Sequence, residues 1–274
     1  MIPHLWEEHC PMMNSTTETK NGILKKLLIG IGVTAFWLAV WQLLAMLINK
    51  QVVLSPPLTV LKTLVSLAAT GEFWLTVGMS AARIFAGFAL GVLFGVLLAL
   101  MTSVSRAARA IFSPMMSAIK ATPVASFIIM LLFFSENGKI PTVICFLMVL
   151  PLVWANTFKG IAETDVKLLE MAQVYGLSRR SRLKDIYIPS VRPYFVPAAL
   201  TSLGFAWKAG IAAEVLAAPE HSVGGMLYRA KVYLETPEML AWTLCVIVIS
   251  ILLEWGLKHL LKARGEGGYA DGKA

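Results

Sequence analysis

The sequence predicts an all-α, polytopic membrane protein of about six transmembrane helices, and three observations carry that expectation. Of 274 residues, 57% are hydrophobic and only 15% charged, with a mean hydropathy of +0.72, which is too apolar for a soluble domain of this size. Apolar stretches recur at about the 20-residue length that crosses a hydrocarbon core of roughly 30 Å. The Lys and Arg behind the +8 net charge collect in alternate connections, a pattern of membrane topology and not of nucleic-acid binding.

In chain order, residues 1–20 form a polar tail with Glu7, Glu8 and Glu18. No apolar core follows within signal-peptide distance, so a retained tail is expected. Lys25 and Lys26 flank a first span over about Leu27 to Ile48. Ser55-Pro56-Pro57 precedes a weakly amphipathic helix near Leu58 to Ala69. The second span, about Val77 to Met101, carries Gly87, Gly91 and Gly95 on one face, so that another helix can approach closely. Packing within one chain is the simpler expectation for this face than a contact between subunits.

Residues 111–134 read as a broken third span with a kink near Pro123, closed by the polar turn Ser135-Glu136-Asn137-Gly138. A fourth span over about Ile140 to Phe158 is bent at Pro151. A fifth runs from roughly Tyr194 to Ala217, a polar loop reaches Pro237, and a sixth span covers about Glu238 to Leu261. A charged, Gly-rich tail occupies 265–274. With six spans, seventeen Lys and Arg fall on the side of the termini and six on the other. The positive-inside rule places both termini in the cytoplasm.

Between the fourth and fifth spans lies a basic amphipathic segment, Glu170 to Pro189, unsuited to lipid and expected as a cytoplasmic surface platform. A first helix is expected over about Ile161 to Tyr175, with Gly176 as a left-handed cap. Ser178 then N-caps a second helix that Pro189 ends. Arg179, Arg180, Arg182, Lys184 and Arg192 make it basic.

The segment reads E-M-A-x(3)-G-x(9)-I-x-I-P, with Glu170, Met171, Ala172, Gly176, Ile186, Ile188 and Pro189. It closely resembles the EAA loop, E-A-A-x(3)-G-x(9)-I-x-L-P, of permease subunits of ATP-binding-cassette importers. Met171 and Ile188 depart from that pattern but remain apolar. Leu54-Ser55-Pro56-Pro57, Gly71-Glu72-Phe73-Trp74, Ser80 with Arg83, Gly87-Phe88, Ala206-Trp207 and Ala212-Ala213-Glu214 resemble the nitrate/sulfonate/taurine branch. The turn in Phe133 to Gly138, FFSENG, differs from that branch's aromatic-Phe-Gly.

The resemblance implies a type I importer permease domain over 21–264, in a bacterial cytoplasmic (inner) membrane, with coupling helices in 161–189. It implies partner ATPase subunits, an extracytoplasmic solute-binding protein and a second permease copy. Glu170, Met171, Ala172, Gly176, Leu177, Arg179, Arg180 and Pro189 would couple to the ATPase. Alone, Glu170 is an ordinary solvated charge, and the arginines suit lipid headgroups equally well. Lys208 and Glu214 are ionisable groups within the fifth span. They lie about 240° apart around the helix and are not a natural pair. Lys208 lining a path for an anionic or polar solute competes with a packing ion pair. Trp207 suits packing better than substrate stacking, and Glu214 suits a gate or a binding-protein contact.

No catalytic site or cofactor is implied. There is no GxxxxGK[ST] loop, and Cys10, Cys145 and Cys245 form no disulfide or metal framework. A secondary transporter or channel is the alternative, but no internal repeat supports it. An intramembrane enzyme lacks any Ser/His or His/Glu cluster.

Overall fold

The computed structural model describes residues 20–48 and 53–261, so the expected tails lie outside the described residues apart from Lys20. The described residues are helical throughout their ordered elements, beginning with α1 (Lys20–Ile48), α2 (Pro57–Ala68) and α3 (Gly71–Val104). Next come α4 (Arg106–Ala121), α5 (Val124–Phe134), α6 (Ile140–Ala162), α7 (Val166–Val174) and α8 (Arg179–Arg182). A π-helical segment, Leu183–Tyr187, joins α8 to α9 (Ile188–Ala217), and α10 (Val223–Val232) and α11 (Thr236–Leu261) finish the chain.

Among the described residues four helical stretches are long and apolar enough to cross a membrane: α3, α6, the run Arg179–Ala217, and Thr236–Gly256 of α11. The α4–α5 pair passes the same test only together and is bent by 101°. That break is the expected one at Pro123: Thr122, restricted by the following proline, takes ψ 129° and ends α4. The apolar part of α1, Gly32–Ile48, is shorter than a span needs, so the described residues give four spans, or five with the bent pair, where six are expected from the sequence.

The core is a three-helix sandwich of α3, α6 and α9. Gly87, Gly91 and Gly95 turn the face of α3 towards α6 so closely that an added Cβ would lie 2.3 Å from the Thr142 carbonyl oxygen, 2.6 Å from Val149 Cβ and 2.9 Å from Val153 Cβ. Gly210 of α9 meets Ile84 and Cys145 in the same way, at 2.6 and 2.8 Å. The glycine stripe therefore serves packing within the chain. Ile84, Cys145, Val149, Val153, Ala206 and Trp207 fill the seam. Trp242 of α11 stacks on Phe73 at 5.0 Å between centroids, bringing α11 against the start of α3.

Three boundaries differ from expectation. The fourth span continues to Ala162, so the first platform helix is the shorter α7, started by Asp165, whose Oδ1 accepts from the Lys167 amide at 2.9 Å. Pro189 does not end the second platform helix; α8, the π segment and α9 run on continuously. By Pro189 the helix is already formed, and the wide π turn just before it absorbs the missing N–H. The loop expected up to Pro237 contains α10, because Ser222 caps a helix there by accepting from the Gly225 amide at 3.1 Å.

Gly91→Ala is expected to lower stability by about 1–3 kcal/mol through overpacking. Gly78→Ala, where an added Cβ meets nothing within 4 Å, should be neutral or gain up to about 1 kcal/mol. Thermal unfolding of the two variants in detergent checks the difference.

Candidate functional site

Chemistry-bearing residues gather at the two ends of α9, about 39–45 Å apart at 1.5 Å of rise per residue. At the first end sits the platform. Gly176 has φ +64°, and its amide donates to the Gln173 carbonyl at 3.1 Å while the Leu177 amide reaches back to the Ala172 carbonyl at 2.9 Å. This pair of bonds is a Schellman cap, which needs a residue free to adopt the left-handed conformation. Ser178 then starts α8, its Oγ accepting from the Ser181 amide at 3.2 Å. The six residues from Ala172 to Leu177 therefore fold the platform's turn without outside help.

Ala172 is fully buried, while Glu170, Arg179, Arg180 and Pro189 are exposed and Leu177 is half-buried. The Arg182 guanidinium steadies the turn by donating to the Leu177 carbonyl at 3.1 Å. Of Met171, Val174 and Tyr175, the sequence singles out only Met171; Val174 and Tyr175 are among the most exposed large side chains of the described residues, at 84% and 77%. Their i, i+3, i+4 spacing with Met171 was the sequence signal, since it puts the three on one helix face. The platform thus offers an apolar knob with a charged rim.

A second set of contacts ties the platform to the spans. Tyr194 Oη donates a short hydrogen bond to Glu163 Oε2, and Lys159 Nζ lies 3.8 Å from Glu163 Oε1. Gly160 lets α6 approach Val191 and Tyr194 closely. The end of α6 and the start of α9 are therefore joined just where the platform leaves the bundle.

At the far end of α9, Glu214 is wholly buried. Ser80 Oγ donates to Glu214 Oε2 at 2.8 Å, the Gly224 amide donates to the same oxygen at 3.2 Å, and Arg83 Nη1 lies 3.5 Å from Oε1. Arg83 also donates to the carbonyls of His221 at 3.1 Å and Glu220 at 2.9 Å. Paired in this way, a buried carboxylate is tolerable. Glu214 has no free surface to offer a solute in this conformation. Ser80 and Arg83, spaced i, i+3 on α3, were the partners that one helix considered alone could not reveal.

Lys208 is the opposite case. It is exposed on α9, in line with Thr201, Phe205 and Ala212, and has no hydrogen bond or ion pair among the described residues. Trp207 is buried to 1% and donates to the Val246 carbonyl at 3.3 Å, a packing role. Among the described residues no group of three or more His, Cys, Asp or Glu is placed to hold a metal.

Comparison with known proteins now adds the family. The model of the family described as binding-protein-dependent transport system inner membrane component matches residues 91–264, more than half the chain. The chain belongs to this family. It is a multi-pass membrane transport permease subunit, and the match spans the platform and the whole of α9. The chain is 26% identical over 243 residues to the taurine transport system permease protein of Escherichia coli, covering 86% of this chain and 88% of that one. It is 27% identical over 229 residues to a putative aliphatic sulfonates transport permease protein of Bacillus subtilis, covering 82% of each. Among solved structures, an amino acid ABC transporter superposes with TM-score 0.55 at 17% identity, over 69% of this chain and 92% of that one. The inward-facing MetNI methionine ABC transporter gives 0.53 at 17% identity, over 69% and 93%. These likenesses establish the fold as that of a type I importer permease.

Gly176→Ala should strain the platform turn by about 1–2 kcal/mol, the cost of a side chain in the left-handed region. Faster amide exchange at Gly176 and Leu177, with the thermal midpoint of the spans unchanged, is the expected result.

Proposed function

We propose that this chain forms the translocation path of an ATP-driven importer and couples it to separate ATPase subunits through the α7–α8 platform. The observation that carries this reading is the platform itself. It is a self-capped helical turn, set between two spans, with Met171, Val174 and Tyr175 bared to solvent. An apolar knob of this size with a rim of Glu170, Arg179 and Arg180 suits a groove on a partner better than water. Motion at that knob has two covalent outlets, α6 and α9, and Tyr194 and Glu163 bind these together.

The remaining parts of the reading follow. A single chain supplies one platform, and an ATPase dimer needs two, so a second permease copy completes the assembly. An extracytoplasmic solute-binding protein delivers the solute. The charge asymmetry supports a cytoplasmic side for the platform and both termini, and the family resemblance supports a bacterial inner membrane.

The solute we infer is a small anion or an anionic zwitterion, of the sulfonate, taurine, nitrate or bicarbonate kind. An unpaired Lys208 facing lipid would be costly. A water-filled path between two copies solvates it and gives it a role. Relatives named for taurine, aliphatic sulfonates and bicarbonate share an oxyanion that an ammonium attracts. Thiamine precursors and other small heterocycles are the second class, and an effect of Lys208 confined to anions separates the two.

Three measurements test this. The ATPase subunits should co-purify with the wild-type chain and be lost from Gly176→Trp, which blocks the turn's approach to a partner. In reconstituted vesicles Lys208→Ala should cut anion uptake by about tenfold or more, with Lys208→Arg close to wild type, as expected for roughly 1.4 kcal/mol of charge interaction. Uptake unchanged in Lys208→Ala would overturn the anion path, and a chain transporting without any ATPase would make it a secondary transporter.

A further inference from the structure

The first three backbone amides of α10 each find an acceptor on a different element. Val223 donates to Ser80 Oγ of α3 at 2.9 Å. Gly224 donates to Glu214 Oε2 of α9 at 3.2 Å. Gly225 donates to Ser222 Oγ, the helix's own cap, at 3.1 Å. The opening amides of a helix have no partners within it, so two of these three are satisfied only while α3 and α9 hold their present relation. Ser80 sits at the centre with one hydroxyl, which donates a hydrogen bond to Glu214 and accepts one from Val223.

The approach is as tight as the bonding is shared. A Cβ on Gly224 would lie 2.4 Å from Glu214 Cβ and 2.5 Å from the Val215 nitrogen. The segment leading into α10 is held in an unusual conformation, with Ala218 at φ 42° and His221 at φ 45°. Such a conformation persists where the surroundings impose it. Here Arg83 does so, bonding the carbonyls of Glu220 and His221 while facing Glu214. Thr142 of α6 in turn donates to the Arg83 carbonyl at 3.1 Å, so all three core helices meet at this point.

We infer that Ser80, Arg83 and Glu214 are positioning residues that latch α10 and the 218–222 segment to α3 and α9 at the end of the bundle remote from the platform. The latch opens when α3 and α9 shift against each other. It rests on the permease reading given above. A displacement of about 1 Å is enough to lengthen these bonds past their useful range. Because α8, the π segment and α9 are continuous from the platform to Glu214, motion of the platform has a single helical route to the latch. Releasing α10 at the remote end is then linked to what the platform does, with no solute contact needed from Glu214 itself.

The experiment measures amide exchange and ATP hydrolysis on the purified transporter carrying Ser80→Ala, Glu214→Ala or Glu214→Gln. Ser80→Ala removes one hydroxyl and is the milder change. Exchange of a peptide covering 223–232 should rise about tenfold in Ser80→Ala and more in Glu214→Ala, the effect of losing a buried partner, with α6 peptides unchanged. ATP hydrolysis without solute should rise severalfold in the same two variants. Glu214→Gln, which keeps an acceptor for Ser80 and Gly224, should restore much of both. Unchanged exchange at 223–232 in Ser80→Ala would overturn the latch, and so would faster exchange with hydrolysis still held at the wild-type level. A chain that retains no ATPase subunit would sink the importer reading and leave the exchange measurement to decide the latch alone.

Discussion

Everything else in the bundle is arranged around the contact between α3 and α6. Three glycines at four-residue intervals remove the side chains from one face of α3, and the backbone of α6 comes within reach of the gap. In lipid there is little hydrophobic gain in bringing two apolar helices together, so close van der Waals contact between backbones has to supply the association. Once α3 and α6 are fixed in this way, Gly210 seats α9 against both of them through Ile84 and Cys145. The cysteine's thiol donates a hydrogen bond to the Ala206 carbonyl at 3.2 Å, so it enters that seam paired.

The same α6 connects the two ends of the molecule. At one end Thr142 bonds α3 beside Arg83, and at the other Lys159, Gly160 and Glu163 meet the start of α9. A transporter that must transmit motion over the thickness of a membrane needs members that do not bend along the way. Here α6 and α9 each run over that distance as one helix, with Pro151, Pro193 and Pro197 inside them, and are clamped together by polar contacts near the platform and by packing along their length. The π segment at Leu183–Tyr187 lies outside that clamped region, between the basic turn of α8 and the first proline of α9. A widened turn placed there sets the angle at which the platform joins α9.

How much of this was legible in the sequence follows from whether the cause was local. The four long spans, the break at Pro123, the glycine face, the left-handed Gly176 and the Ser178 cap each depend on residues within one or two turns, and each could be read from them. Pro189 was misjudged because a proline stops a helix only when nothing upstream has already set its course. The preceding π turn is a property of the folded segment, not of the dipeptide. α10 was hidden because its start depends on Ser80 and Glu214, which lie 143 and 10 residues away from their amide partners. Composition marks 218–237 as a polar loop, and the local Ser222 cap together with tertiary contacts turns half of it into a helix.

Lys208 and Glu214 show the same limit within a single helix. Both are ionisable, both lie in α9, and hydropathy weighs them alike. The 240° between them decides their fates, because it turns one into the seam and the other away from it. Glu214 meets a hydroxyl, an amide and a guanidinium, so its charge is neutralised locally and its surroundings become rigid. Lys208 meets none of these, and no lipid could stabilise it as they stabilise Glu214. A face that leaves a lysine bare among apolar side chains is incomplete as a lipid-facing surface. The proposed path would supply water and a second wall opposite it, and a packing ion pair with another subunit is the competing way to complete it.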